Sequence, residues 1–296
     1  MSGILLVTGG TGNLGSHIVR QAVKSGKWDE VHATYHTLNP NFHKVFWHYA
    51  DARNALTPTL SRIKPSCIIH TMALSSPDEC EKRKLDAWQI NVKATSEIAN
   101  YANLNSVRMI HTSTDLVFGG DKGGYSEKDP VQPVNFYGDT KAEVENDIME
   151  NYSSNNYVVA RIGLLYGFNQ NQRLNFFDTI YNGLRHQQPV TLFDDQYRSM
   201  MNIANAAECL LELALHTYSG LMHLAGPEGM SRYDFGIRLA GHLKLPASAL
   251  VKKPMSEIRS LSKRPKDVTL NISLAKSIIK TPIQTVDEGI RSIFSL

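Results

Sequence analysis

The segment Thr8-Gly9-Gly10-Thr11-Gly12-Asn13-Leu14-Gly15 constrains this chain more than any other. It follows directly on an apolar run, Gly3-Ile4-Leu5-Leu6-Val7, and opens an amphipathic stretch over Leu14 to Lys24, so its glycines stand in a turn from strand to helix. Such a turn needs backbone angles that glycine adopts freely, and a phosphate oxygen reaches backbone N–H groups closely only where no Cβ intrudes. The helix that follows offers unsatisfied donors and a partial positive charge to a pyrophosphate. The order strand, turn, helix therefore predicts a dinucleotide site on Gly9, Thr11, Gly12, Asn13, Leu14 and Gly15. Glycines alone would fit a tight turn with no ligand.

The rest of the first half alternates short apolar runs with amphipathic ones. Strands are expected over Ile4 to Val7, Val31 to Tyr35, Val45 to Tyr49, Cys67 to Thr71, Arg108 to Ser113, Val158 to Ile162 and Val190 to Phe193. Helices are expected over Leu14 to Lys24, Thr57 to Arg62, Asp86 to Ala102 and Tyr137 to Glu150. This pattern implies an α/β fold, a Rossmann-type doubly wound parallel sheet. After Leu165 the alternation lapses, which suggests a smaller discontinuous C-terminal substrate lobe. The expected division is a dinucleotide-binding domain over 1–165 with 187–217 returning to it, and a lobe from 166–186 and 218–280.

Composition excludes more than it selects. The 296 residues carry a formal charge of +3 without a basic block, so nothing marks a nucleic-acid surface. No apolar run approaches the ~20 residues of a membrane span. The strand-like run near Met1 leaves no room for a cleaved leader, and Cys67, Cys80 and Cys209 are scattered, so a cytoplasmic protein is expected. Of the eleven histidines only His32 and His36 stand four apart, and they fall on and directly after an expected strand rather than on one turn of a helix, so no metal site is expected.

The cofactor's kind is read from two strand ends. The second ends Thr34-Tyr35-His36-Thr37, without the acid that holds ribose hydroxyls in NAD-preferring folds, which favours NADP(H) and leaves NAD(H) open. No Arg or Lys stands there for a 2′-phosphate, only His36 and Thr37. Asp51 closes the third strand, either accepting from an adenine amino group or capping the next helix. Ala73 follows the fourth strand in His70-Thr71-Met72-Ala73.

Chemistry enters with Tyr137-Gly138-Asp139-Thr140-Lys141, a phenol and an ammonium four apart and so on one helix face. A free phenol ionises near pH 10, and a neighbouring ammonium favours the phenolate. Ser113 and Thr114 stand at the fifth strand's carboxyl end, where parallel sheets bind ligands.

Together TGGTGNLG, Asn91 within QINVKAT, HTSTDLVFGG, YGDTK, ARIGLLYG, HLAGPEGMSR and SKRPKDVTLNIS resemble the extended short-chain dehydrogenases/reductases. Within them the chain is similar to dTDP-4-dehydrorhamnose reductases and their sugar-nucleotide-binding relatives, along essentially its whole length. The resemblance implies NAD(P)H-dependent reduction of the C4 keto group of a nucleotide-linked 4-keto-6-deoxy sugar, in dTDP-rhamnose biosynthesis. It implies catalytic roles for Thr114, Tyr137 and Lys141, with Asn91 maintaining the site, and cofactor contacts from Tyr35, His36, Asp51, Ala73, Tyr137 and Lys141. It implies substrate contacts from Ser113, Thr114, Asp115, Arg198, Arg264 and Lys266, and a homodimer. Leu116 and Leu164 stand where many relatives carry aromatics near the sugar. Because Leu116 also stands where dehydratases place a Glu after Thr-Asp, dehydration is disfavoured. An epimerase, or a non-catalytic partner like the regulatory subunit of methionine adenosyltransferase, remains an alternative.

Overall fold

The computed structural model describes residues 3–37, 40, 42–152, 156–170 and 174–295. Its strands are β1 (Ile4–Thr8), β2 (Glu30–Tyr35), β3 (Phe46–Tyr49), β4 (Cys67–His70), β5 (Arg108–Thr114), β6 (Tyr157–Ile162), β7 (Leu164–Tyr166), β8 (Val190–Phe193), β9 (Tyr197–Asn202), β10 (Gly220–Leu224), β11 (Gly229–Ser231) and β12 (Leu250–Lys253). Helices α1 (Asn13–Ser25), α2 (Thr57–Ile63), α3 (Pro77–Lys82), α4 (Lys84–Trp88), α5 (Ala94–Leu104) and α6 (Phe136–Asn151) connect the first strands. Helices α7 (Phe176–His186), α8 (Ile203–Leu215), α9 (Arg232–Leu243), α10 (Ser273–Ile278) and α11 (Val286–Phe294) complete the chain.

Seven parallel strands form the main sheet in the order β3-β2-β1-β4-β5-β6-β10. Side-chain alternation buries both its faces. Leu5, Val7, Ile69 and Ile110 pack with Ile18 of α1 and Leu210 of α8 on one face. Leu6, Ile68 and Met109 pack with Leu60 of α2, Ile98 of α5 and Val144 of α6 on the other. Helices on both faces make the doubly wound architecture expected from the alternating runs. Among the described residues no helix is long and apolar enough to cross a membrane.

The pairings differ from the expected division at several strands, and β9, within 187–217, joins β7 and β11 rather than the main sheet. Val190–Phe193 forms β8 and pairs with β12, outside the main sheet, whereas Gly220–Leu224, expected in the lobe, is the main sheet's edge strand beside β6. Val190–Phe193 reads as a strand but carries nothing that says which sheet receives it. The mostly apolar GLMHL of β10 is too short to choose between a strand and a buried helical turn. The smaller lobe gathers β7, β9 and β11 into one sheet, pairs β8 with β12, and packs α7, α9 and α11 around Tyr166, Phe177, Leu192, Phe235 and Ile290.

The helix expected over Asp86 to Ala102 is also modified. Between α4 and α5 the chain widens into a π-helical turn at Gln89–Lys93, a local defect that re-aims a side chain, here Asn91.

Candidate functional site

The turn after β1 lies between β2 and β4, at the carboxyl ends of the strands. Gly9 takes φ +71°, and a Cβ on Gly15 would stand 2.2 Å from the Gly9 carbonyl oxygen, so α1 reaches this turn only as glycine. Gly10 N donates to Thr34 O at 2.8 Å and Gly9 N to Thr34 Oγ1 at 2.9 Å, tying the turn to β2. A groove of about 370 Å³ opens beside it, bordered by Gly9, Thr11, Gly12, Tyr35, His36, Asp51 and Ala73. Leu14 and Gly15 lie behind it in the first turn of α1. Asn13 opens α1, with a buried Oδ1 that accepts from nothing.

Asp51 does not cap the next helix. The amides of Leu56 and Thr57 at the start of α2 donate instead to Glu97, at 2.8 and 2.7 Å. Asp51 accepts from Arg53 N at 3.0 Å and from the Arg53 guanidinium at 2.6–3.2 Å, with His36 Nε2 3.6 Å away. These bonds hold its carboxyl well below the usual carboxylate range. Arg53 and Arg83 both border the groove. Cations therefore do stand at this end, supplied from beyond β3 and from α3's end rather than from β2. Their spacing from the glycine turn carries no motif, so sequence reasoning passed over them.

At the other end, α6 starts from Asn135, whose side chain accepts from Gly138 N at 3.0 Å. A Cβ on Gly138 would lie 2.3 Å from Leu116 O, so α6 rests directly on the turn after β5 and brings Tyr137 to Thr114. Burial raises the Tyr137 hydroxyl's pKa, with Cys80 and Asp115 adding to it, while Arg198 and a hydrogen bond with Thr114 oppose it. Ser113 is buried with its hydroxyl unpartnered, and Thr114 Oγ1 donates to Asp115 Oδ1 at 3.2 Å.

Lys141 is buried one turn along α6, but it faces His111. Its Nζ lies 3.1 Å from His111 Nε2, which accepts when the lysine is charged. Burial brings Lys141 from its usual 10.5 down to about 8, opposed by Glu145, whose carboxylate is bound by Arg161. Burial also keeps His111 neutral, and it stacks on His70, which is held between Thr8 and Thr95. The leading influences on the Tyr137 phenol are burial, Cys80, Asp115, Arg198 and Thr114, ahead of the ammonium of Lys141. Asn91, turned inward by the π-helical turn, accepts from Leu74 N at 2.8 Å and donates to Leu74 O and to Thr140 Oγ1, each at 3.1 Å. It fixes α6 against the loop after β4.

Beside Tyr137 lies a cluster of arginines. Asp115, fully buried, receives both Nε and Nη2 of Arg198, the former at 2.5 Å from Oδ2. Arg264 donates to Asp78 at 3.4 Å and lies over the Phe193 ring at 5.6 Å. Lys266 is exposed and outside this cluster; its carbonyl accepts from Tyr197 N. Arg232, not singled out from the sequence, joins the cluster from α9, over Phe176 and Phe193.

The chain matches the family model for the RmlD substrate binding domain over residues 3–295. It belongs to this family. In sequence it is 27% identical over 291 residues to mouse methionine adenosyltransferase 2 subunit beta, covering 95% of this chain and 85% of that protein. It is 25% identical to the probable low-salt glycan biosynthesis reductase Agl14 of Haloferax volcanii, covering 97% of this chain and 96% of that one. In structure it resembles dTDP-4-dehydrorhamnose reductase from Bacillus anthracis, solved in complex with NADP, with a TM-score of 0.85 and 22% identity over 100% of this chain and 99% of that one. The family and the Rossmann-like fold are those the motifs resembled.

Proposed function

We propose that this chain is an NAD(P)H-dependent reductase of the C4 keto group of a nucleotide-linked 4-keto-6-deoxy sugar. The observation that carries it is the meeting of Thr114 and Tyr137 at the carboxyl end of β5, with Lys141 one turn beyond, on the same sheet whose β1 and β2 ends border the groove. The groove suits a dinucleotide: the glycine turn that borders it is one a Cβ would fill, and it leads into the N-terminus of α1. Gly9, Thr11 and Gly12 would hold the pyrophosphate, Asp51 the adenine, and Lys141 the nicotinamide ribose. When bound, the reduced nicotinamide supplies the hydride. Thr114 orients the substrate carbonyl, and Tyr137 gives its proton to the carbonyl oxygen. A phenol whose pKa is raised by burial is fully protonated at neutral pH, the state a proton donor needs. Positioning is most of what the protein adds.

NADP(H) is favoured over NAD(H), because β2 ends without an acid and Arg53 and Arg83 border the adenosine end of the groove. The test is oxidation of NADPH and NADH in parallel with dTDP-4-dehydrorhamnose. Substrate-dependent oxidation, faster with NADPH, is expected. Silence despite cofactor binding would favour a second reading, a binding subunit, which the 27% identity to methionine adenosyltransferase 2 subunit beta supports.

A further inference from the structure

Three guanidiniums meet near Tyr137, and only two have carboxylates. Arg198 is committed to Asp115 through two bonds. Arg264 reaches Asp78, whose Oδ1 is already taken by Ser260 Oγ at 2.8 Å and by the hydroxyl and amide of Ser262 at 2.7 and 3.0 Å. Among the described residues nothing accepts a hydrogen bond from Arg232. Its Nε is enclosed and unpartnered, and its guanidinium lies 5.3 Å from the Phe176 ring centroid and 5.6 Å from that of Phe193. Aromatic faces attract a cation but neutralise none of its charge.

The surroundings work against that charge. Arg232 is the first residue of α9, behind the N-cap Ser231, where the helix's positive end disfavours a cation. Burial, with Arg198 and Arg264 as like charges nearby, pushes its pKa down to about 9, and Asp115, already shared with Arg198, is the carboxylate that pulls it back. A chain selected for stability alone would place an apolar residue between two phenylalanines. A guanidinium left in such a place fits a partner that arrives from outside, and its planar fork suits phosphate oxygens.

We propose that Arg232 is the anion receptor of this chain and that, with Arg264 beside it, it binds the diphosphate of a nucleoside diphosphate. Arg198, the residue the sequence offers first, is closed off by Asp115 and acts by holding the cluster together. The inference deepens the nucleotide-sugar reading by naming the free charge that the ligand meets. It concerns binding, so a chain that binds without reducing needs Arg232 equally.

The experiment is calorimetric titration of the wild type, Arg232→Gln and Arg232→Lys with uridine diphosphate, thymidine diphosphate, pyrophosphate and glucose, with no turnover measured. The expected result is nucleoside diphosphate binding weakened about tenfold or more in Arg232→Gln, from loss of a charge-assisted bond, with much of it restored in Arg232→Lys and no binding of glucose. Recovery in the lysine variant separates loss of charge from loss of fold. Equal affinity in wild type and Arg232→Gln would overturn the proposal. Pyrophosphate bound as tightly as the nucleoside diphosphates would overturn the nucleotide as its source. A failure of turnover would leave these affinities unchanged, so the two readings fall separately.

Discussion

The two arginine-bearing ends of the site are balanced differently. Beside the glycine turn each guanidinium has its own carboxylate: Arg53 pairs with Asp51 at 2.6 Å and Arg83 with Asp86 at 2.6 Å, both with the arginine about half exposed. Beside Tyr137, three guanidiniums have two carboxylates between them: Arg198 and Asp115 are buried together, Arg264 and Asp78 pair half-buried, and Arg232, with its Nε enclosed, has none. Exposed pairs cost little to assemble and contribute little. Buried charges must be matched or they destabilise the fold. The first end is electrically complete in the chain alone, and the second is complete only with a ligand.

The strongest way to break this comparison is to unbalance the buried end further. Asp115→Ala strands Arg198 beside Arg232 and is expected to cost about 3–5 kcal/mol in urea unfolding, the usual penalty for removing one partner of a buried pair. A loss below about 1 kcal/mol would mean that this end behaves like an exposed surface. Lys141, a buried cation hydrogen-bonded to a neutral imidazole and helped only at a distance by Glu145, lies between the extremes. Its folded pKa of about 8 lies below its usual 10.5, so the unfolded chain holds more protons between those values. The stability of the wild type relative to Lys141→Met therefore rises from pH 8 to 10.5, by up to about 3 kcal/mol. Over the same interval turnover should fall as the ammonium is lost. A flat difference would show that Lys141 is not desolvated.

Asp78 tests the tie between the lobes, since it gathers Ser260, Ser262 and Arg264 onto α3. Burial raises its carboxyl, but the bonds from Ser262 and Ser260 and the charge of Arg264 outweigh that and bring it to about 2. Its stabilising contribution is therefore present above the usual 3.8 and disappears as pH falls through about 2. Asp78→Ala should lower stability by about 1–2 kcal/mol and speed hydrogen exchange over 258–266. The smallest effect belongs to the balanced end. Arg53→Ala should weaken NADPH binding by about two- to fivefold and leave NADH nearly unchanged; equal losses for both would remove Arg53 from cofactor choice.

What was legible in the residues follows the same division. The glycine turn and the Tyr137/Lys141 spacing are local: a few neighbouring residues dictate the backbone or the shared helix face, and both stand where expected. Asn91 was named through resemblance, while the π-helical turn that aims it depends on how α4 and α5 join. Strand β10 was missed, because pairing with β6 is decided some sixty residues away, at Val158↔Gly220. Arg232 was passed over for a related reason. Its meaning lies in what is absent around it, a carboxylate, and only the assembled lobe shows that Arg198 has already used the nearest one. Lys141 had the expected position and a different partner, His111, contributed by a strand rather than by its own helix.

The central claim, proton donation by Tyr137 to a substrate carbonyl, is tested most directly by Tyr137→Phe, with turnover of dTDP-4-dehydrorhamnose and cofactor affinity measured on the same preparation. The account predicts turnover reduced by about 10²- to 10⁴-fold with NADPH affinity nearly unchanged, because only the proton donor is lost. Turnover within a fewfold of wild type would contradict it.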